Sequence, residues 1–318
     1  MIEVEDYIIS TTDSMDNTPL GWAAEYGHEG VVELLLNRDD IDPNKPNEYG
    51  QTPLWLAACY GHGRVVKMLL GRDDVDPDSS DIDGETALFC ASKNGHEEVV
   101  KMLLGRDDIN PDKADDYGQT ALTVAVSERR QGVVRILLGR DDINPNKPGV
   151  HDNTPLGLGA WNGDEEVMKM LLGRDDINPN SWDVVGRTPL WCAARRGNER
   201  IVKILLRRDG IIPDRPGYNG QTPLNRAAMG GYEGIVKILL GRGDVNPDRP
   251  NEYGQTPLWS AARNGHEGVV KLLLERRDVD PNIPDTNDRT PFSIAARNGH
   301  ARVIALLQPP TVATQRTD

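Results

Sequence analysis

The sequence predicts an all-α fold: an α-solenoid of about nine helix-turn-helix units, with hairpin-like fingers projecting between them. Three observations predict it. Pro46 to Trp55 (Pro-Asn-Glu-Tyr-Gly-Gln-Thr-Pro-Leu-Trp) returns letter for letter at Pro250 to Trp259, six steps of 34 residues later. A threonine marks every step, at Thr18, Thr52, Thr86, Thr120, Thr154, Thr188, Thr222, Thr256 and Thr290, and a fixed period of this size is the signature of stacked repeats. Aromatic residues are only 5% of the 318, few for one large core but sufficient where small side chains pack many thin layers.

The segments follow in a constant order. Residues 1–10 form a lead-in, residues 11–308 the array, and residues 309–318, beyond Gln308, a polar tail expected to be disordered. Within a unit, Thr-Pro starts a helix: threonine is a good N-cap, and proline suits the first helical position, whose N–H is not needed. Ala87 and Ala121 replace that proline in two units. Paired small residues follow, as in Ala57-Ala58 and Ala261-Ala262, letting the helix approach its neighbours closely. A glycine such as Gly61 or Gly231 then breaks the helix, because it reaches positive φ without steric cost. The second helix carries apolar residues at helical spacing, as in Val65, Val66, Met68, Leu69 and Leu70, and stops near Gly-Arg-Asp-Asp. A proline lies in every linker, and the polar segment before the next threonine reads as an exposed turn or finger.

Thr52-Pro-Leu-Trp-Leu-Ala-Ala58, Gly61-His62 and Val65-Val66-Lys67-Met68-Leu69-Leu70 together resemble the ankyrin repeat. The resemblance spans roughly residues 11–308 and implies two antiparallel helices per unit, projecting fingers and a concave face that binds protein partners. The period here is 34 rather than the usual 33, and the extra length falls in the Asp-Pro linker. This long-linker form is most similar to ankyrin arrays of filamentous fungi. The histidine common after Thr-Pro-Leu is replaced by Trp55, Trp191, Trp259, Phe89, Thr123, Asn225 or Ser293, which puts its hydrogen-bond role in question.

The resemblance implies that variable positions before the turn glycine and at the finger tips line the binding face. The partner-binding candidates before the glycine are Tyr26, Tyr60, Trp161, Arg195, Arg196, Arg263 and Arg297, with Arg226 nearby. At the fingers they are Tyr49, Trp182 and Tyr253, and Trp55 and Trp259 are expected to join their neighbouring tyrosines in meeting a partner. Aromatic residues and arginine most often anchor interfaces. Arg187, Arg195, Arg196, Arg226, Arg263 and Arg297 all fall in the last four units of a chain with net charge −14. They read either as solvated helix ends or as a groove accepting an acidic or phosphorylated segment.

Other chemistry is weighed against this. The charge of −14 argues against nucleic acid or an anionic membrane as the main ligand. No run approaches the ~20 apolar residues of a membrane span, and no basic segment followed by an apolar run marks a secretory signal. Cys59, Cys90 and Cys192 are odd in number and scattered, so no disulfide framework is read and a reducing intracellular compartment, cytoplasm or nucleus, is expected. His28, His62, His96, His266 and His300 share one register but would sit roughly 8–10 Å apart, too far to share a zinc ion, and read as cap or turn residues. The Asp76–Asp83 run lacks the distal glutamate of an EF-hand. No catalytic residues and no cofactor are assigned. Unit four carries Arg129 where the others have a turn glycine and so needs another way to turn, as a softer point or as drifted sequence. The expectation is a non-enzymatic, monomeric scaffold or adaptor. The alternatives are a regulatory protein such as a transcriptional co-regulator, or the recognition arm of a larger signalling protein.

Overall fold

Each of the nine period-marking threonines caps a helix. In the computed structural model, which describes residues 12–308, the Thr52 hydroxyl accepts from Trp55 N at 3.2 Å and the Thr256 hydroxyl from Trp259 N at 3.1 Å. The same bond recurs at every unit and satisfies one of the donors a helix start leaves open. The lead-in (residues 1–10) and the tail (residues 309–318) lie outside the described residues.

Eighteen α-helices result among the described residues, and no β-strand. They form two compact units that divide within the fifth repeat: residues up to Leu158 with Gly173–Ile177, and Gly159–Leu172 with the residues from Asn178. The first unit holds α1 (Pro19–Glu25), α2 (Glu29–Leu36), α3 (Pro53–Cys59), α4 (Gly63–Leu70), α5 (Ala87–Asn94), α6 (Glu97–Leu103), α7 (Ala121–Ser127) and α8 (Gln131–Leu138). Helix α9 (Pro155–Asn162) spans the division. The second unit holds α10 (Glu165–Leu172), α11 (Pro189–Arg196), α12 (Glu199–Leu206), α13 (Pro223–Gly230), α14 (Glu233–Leu240), α15 (Pro257–Asn264), α16 (Glu267–Leu274), α17 (Pro291–Arg297) and α18 (Ala301–Leu307).

At seven or eight residues none of these helices would persist alone in water, where ~12–15 residues are already marginal. Packing holds them. Within the first unit, α1, α3, α5 and α7 pack in series, as do α2, α4, α6 and α8; α11, α13, α15 and α17 do the same in the second. The alanine pairs permit this: Ala57, Ala58, Ala261 and Ala262 have no exposed surface. Val65, Val66 and Leu69 of α4 are likewise buried, while Lys67 faces solvent.

Each repeat is tied to its neighbours by side chains reaching backbone carbonyls. His62 Nε2 donates to Glu25 O at 2.8 Å, and His96, His266 and His300 make the same bond to Cys59 O, Met229 O and Arg263 O. The histidines stand at the N-cap position but make no side-chain cap; their role is to bridge repeats, a correction to the cap reading. Asp164 in that register does cap, accepting from Val167 N. The fourth repeat builds its turn with Arg129 itself at φ +57°, correcting the expectation that a left-handed residue is missing. Arg130 Nε then donates to Lys93 O at 3.0 Å, reproducing the histidine bond.

The arginine register forms a pair within its own linker in seven of the eight linkers, the linker of Arg208 having Gly210 in place of the paired aspartate. Arg72 pairs with Asp74 and Arg106 with Asp108, and their free amino groups reach Leu36 O and Leu70 O of the preceding repeat. The hydrogen bond from Arg72 holds the Asp74 carboxyl below its ordinary range. Because these pairs are exposed to solvent, each contributes little to stability. Fingers such as that at Asp81 are Asx turns, with Asp81 Oδ1 accepting from Asp83 N and Glu85 N, whereas those at Val150–Asp152 and Tyr218–Gly220 are 3₁₀ turns. That use of the carboxylate explains the acidic run without calcium. Successive fingers are joined by Ile82 N to Tyr49 O and by Thr286 N to Tyr253 O, both at 3.0 Å.

Cys59 and Cys90 form a disulfide, with Cα atoms 4.9 Å apart. The scattered-thiol reading is corrected, because 31 residues is close to one period and places both on first helices of adjacent repeats. The inference from cysteine usage to a reducing compartment loses its premise. Cys192 remains free, and burial pushes its thiol up to about 12. Only the thiolate is nucleophilic, so at pH 8 the native chain should leave Cys192 unlabelled by iodoacetamide while the denatured chain takes it up. Equal labelling rates in the two states, read by mass spectrometry, would contradict this burial.

Candidate protein-binding site

The first helix of each repeat ends where the chain reverses, and side chains at these ends and at the fingers include exposed aromatic and arginine residues. In the first unit this places Tyr26 and Tyr60 at the C-caps of α1 and α3 and Tyr49 at a finger, all exposed. Tyr26 stacks on Trp22 with ring centroids 5.5 Å apart, and Tyr60 lies against His62.

The expected residues converge most closely in the second unit. Trp161, near the end of α9, is half-buried, and the guanidinium groups of Arg196, Arg187 and Arg195 lie 5.0, 5.5 and 5.8 Å from its ring centroid. Arg195 also approaches the Trp191 ring at 5.7 Å, and Arg226 sits 4.5 Å from the same ring. The faces of aromatic rings attract cations, so the tryptophans hold the arginines in place. Arg187 is paired with Asp183 at 2.5 Å. Among the described residues no carboxylate stands at ion-pair distance from Arg195, Arg196 or Arg226.

Arg226 is unusual. It is only 8% exposed, and its Nε has no hydrogen-bond partner. Its one hydrogen bond from Nη1 is a weak contact to Met229 Sδ at 3.5 Å. Burial, then the like charge of Arg195, pushes its guanidinium down to about 10. A cavity of about 350 Å³ opens here, bounded by Trp161, the three arginines and the Met229–Gly230–Tyr232 turn.

Tyr253 and Arg263 border a neighbouring cavity of about 300 Å³, together with Met229 and Trp259. Arg263 lies 5.6 Å from the Trp259 ring. Trp182 stands exposed at its finger with the Arg215 guanidinium 3.8 Å above the ring. Arg297 ends α17, exposed, and lines neither cavity.

Trp55 and Trp259 are 7% and 1% exposed, which corrects their reading as partner contacts. Each indole points at the next finger: Trp55 Nε1 donates to Glu85 O and Trp259 Nε1 to Arg289 O, both at 2.9 Å. Asn225 makes the same kind of bond to Gln255 O. At Trp55, Asn225 and Trp259 the register after Thr-Pro-Leu therefore keeps a hydrogen-bond role without histidine. Among the tryptophans of this register Trp191 differs, its Nε1 buried and unpartnered; the Gly217–Gly220 finger above it is a different, 3₁₀ turn.

Sequence reasoning missed two contributors. Trp191 forms the buried face that Arg195 and Arg226 approach, and its sequence register is shared with two structural tryptophans. Gly230 was legible in principle: every other repeat carries a side chain at this position, such as Arg196 or Asn264. The cluster offers fixed positive charge and N–H donors, which suits binding an anion. Guanidinium groups are donors without an acceptor atom and supply no general base. No group of three or more His, Cys, Asp or Glu side chains converges among the described residues, and no helix there is long and apolar enough to cross a membrane.

A family model described as ankyrin repeats matches residues 3–81, 72–149, 156–249 and 243–317. A comparison with curated proteins returned no match.

Proposed function

Because the chain belongs to the ankyrin-repeat family, whose members are in general protein-interaction modules, we propose that it is a non-enzymatic scaffold or adaptor. Its recognition surface is the face made by the ends of the first helices and the finger tips, and its second unit takes an acidic segment of a partner protein. The observation that carries this reading is the convergence of Arg195, Arg196 and Arg226 on Trp161 and Trp191 without a balancing carboxylate. On a chain of net charge −14, such a cluster repels little of the chain's own surface and selects a negative ligand. Arginine adds planar, multidentate recognition that lysine would not. In the first unit, the exposed tyrosines Tyr26, Tyr49 and Tyr60 are further candidate contacts.

Reversing Arg195, Arg196 and Arg263 to Glu tests the reading. All three are exposed, so the fold should survive, as circular dichroism would confirm. Recovery of bound protein in an affinity pull-down should fall at least roughly tenfold, the weight of one or two charge-assisted contacts. Unchanged recovery would remove the proposal.

A further inference from the structure

A buried guanidinium without a counter-charge is costly, and folded proteins normally pair such a group. Arg226 is nine-tenths buried, lines the cavity of about 350 Å³ and leaves its Nε without a partner. The wall around it supplies more positive charge, from Arg195 and Arg196, and no acid. Gly230 lines it as well: the other eight repeats carry Tyr, Asn, Glu or Arg at this position, and a Cβ here would stand 2.3 Å from the Tyr232 ring, which lies where a side chain would otherwise go.

We propose that this cavity is a phosphate-monoester site that takes a phosphorylated side chain of the partner segment. A carboxylate brings one charge and two acceptor atoms. A phosphate ester brings about −1.5 to −2 charge and three acceptor oxygens, which better matches three guanidinium groups whose N–H donors are unspent on acids. The Trp161 and Trp191 rings keep Arg195, Arg196 and Arg226 in position before the ligand arrives, so little side-chain entropy is lost on binding. The cavity is at the small end of the ~300–1,000 Å³ range of ligand sites, the scale of one side chain. The inference rests on the protein-binding reading above and narrows it.

The test is titration of the full chain with phenyl phosphate, read by tryptophan fluorescence and by the arginine Nε–H resonances, with phenyl sulfate, benzoate and inorganic phosphate as comparison ligands. Phenyl phosphate should bind at least about tenfold tighter than either organic monoanion, and tighter than inorganic phosphate. Arg226→Met and Arg195→Gln should each weaken it roughly tenfold, the weight of one charge-assisted pair. Arg195 is exposed, so the second variant keeps the test intact if the first unfolds. Benzoate or phenyl sulfate binding equally well would overturn the phosphate assignment, and equal binding of inorganic phosphate would overturn the side-chain source. Unchanged affinity in Arg195→Gln, or no saturation by phenyl phosphate up to ~10 mM, would overturn the site. If phenyl phosphate fails while the Arg195, Arg196 and Arg263 reversal still abolishes partner capture, the phosphate inference falls alone. If phenyl phosphate binds while that reversal leaves capture unchanged, the protein-binding reading falls instead.

Discussion

Gly231→Pro should unfold the middle of the second unit and leave the first repeats nearly untouched. Gly231 sits at φ +73° and donates its N–H to Ala228 O at 3.3 Å. Proline fixes φ near −65° and has no N–H, so both the geometry and the bond are lost. Any Cβ here would also stand 2.6 Å from the His266 ring, which bridges this repeat to the next. Proline placed where φ is far from −65° and the N–H is bonded destabilises. In a repeat array stability is approximately a sum of unit and nearest-neighbour terms, so the damage should be local. Native-state hydrogen exchange should show the largest loss of protection over α13 to α16 and the least over α1 to α4. A uniform loss along the chain would contradict the nearest-neighbour account.

Trp259→Ala should be comparably severe, although this residue lies among positions that vary between repeats. Its ring is 1% exposed and its Nε1 donates to Arg289 O. Removing a buried tryptophan costs ~3–5 kcal/mol from lost burial and the residual cavity. Trp259→Phe keeps most of the apolar surface but drops the hydrogen bond and leaves Arg289 O short of a partner, a loss of ~1–3 kcal/mol. Urea denaturation followed by circular dichroism gives both values. A Trp259→Ala variant within about 1 kcal/mol of the parent would mean that the indole is a surface contact after all.

The contrast between these two sites shows what was legible in the sequence. Thr256-Pro257 and Gly231 act through rules local to a few residues: a hydroxyl within reach of an amide, a fixed φ, a backbone that tolerates the left-handed region. Such rules are written in adjacent letters, and the helix pairs follow from them at every period. The direction in which Trp259 points is decided by the finger 30 residues on, and nothing in its own repeat announces that. The same holds for the His62 bond to Glu25 O and for the Cys59–Cys90 disulfide, each of which exists only once neighbouring repeats are stacked.

The candidate site divides in the same way. That Arg195 and Arg196 belong to an open face was legible, because their register varies and falls just before the turn. That Arg226 is buried was not. Its register in the other repeats holds small or apolar residues such as Leu56, Cys90, Cys192 and Ser260, all buried, and only the side chains around it reveal an unmatched charge. The exposure of Tyr26 and Tyr60 was legible, since a large ring at a C-cap has little protein beyond it to cover it.

The carbonyl-directed bonds between repeats also constrain how such a chain can change in length. His62, Arg72 and Trp55 each reach a backbone atom at a fixed distance along the chain: 37 or 36 residues back, or 30 forward. Deleting or duplicating one whole period puts another carbonyl of the same register in the vacated place, so every donor finds an acceptor. A single-residue insertion between two repeats shifts all three reaches at once and strands donors on both sides. Gene-level length variation in this array should therefore be tolerated in quanta of 34 codons, and the nine period-marking threonines, spaced without a slip from Thr18 to Thr290, are the spacing that rule leaves behind.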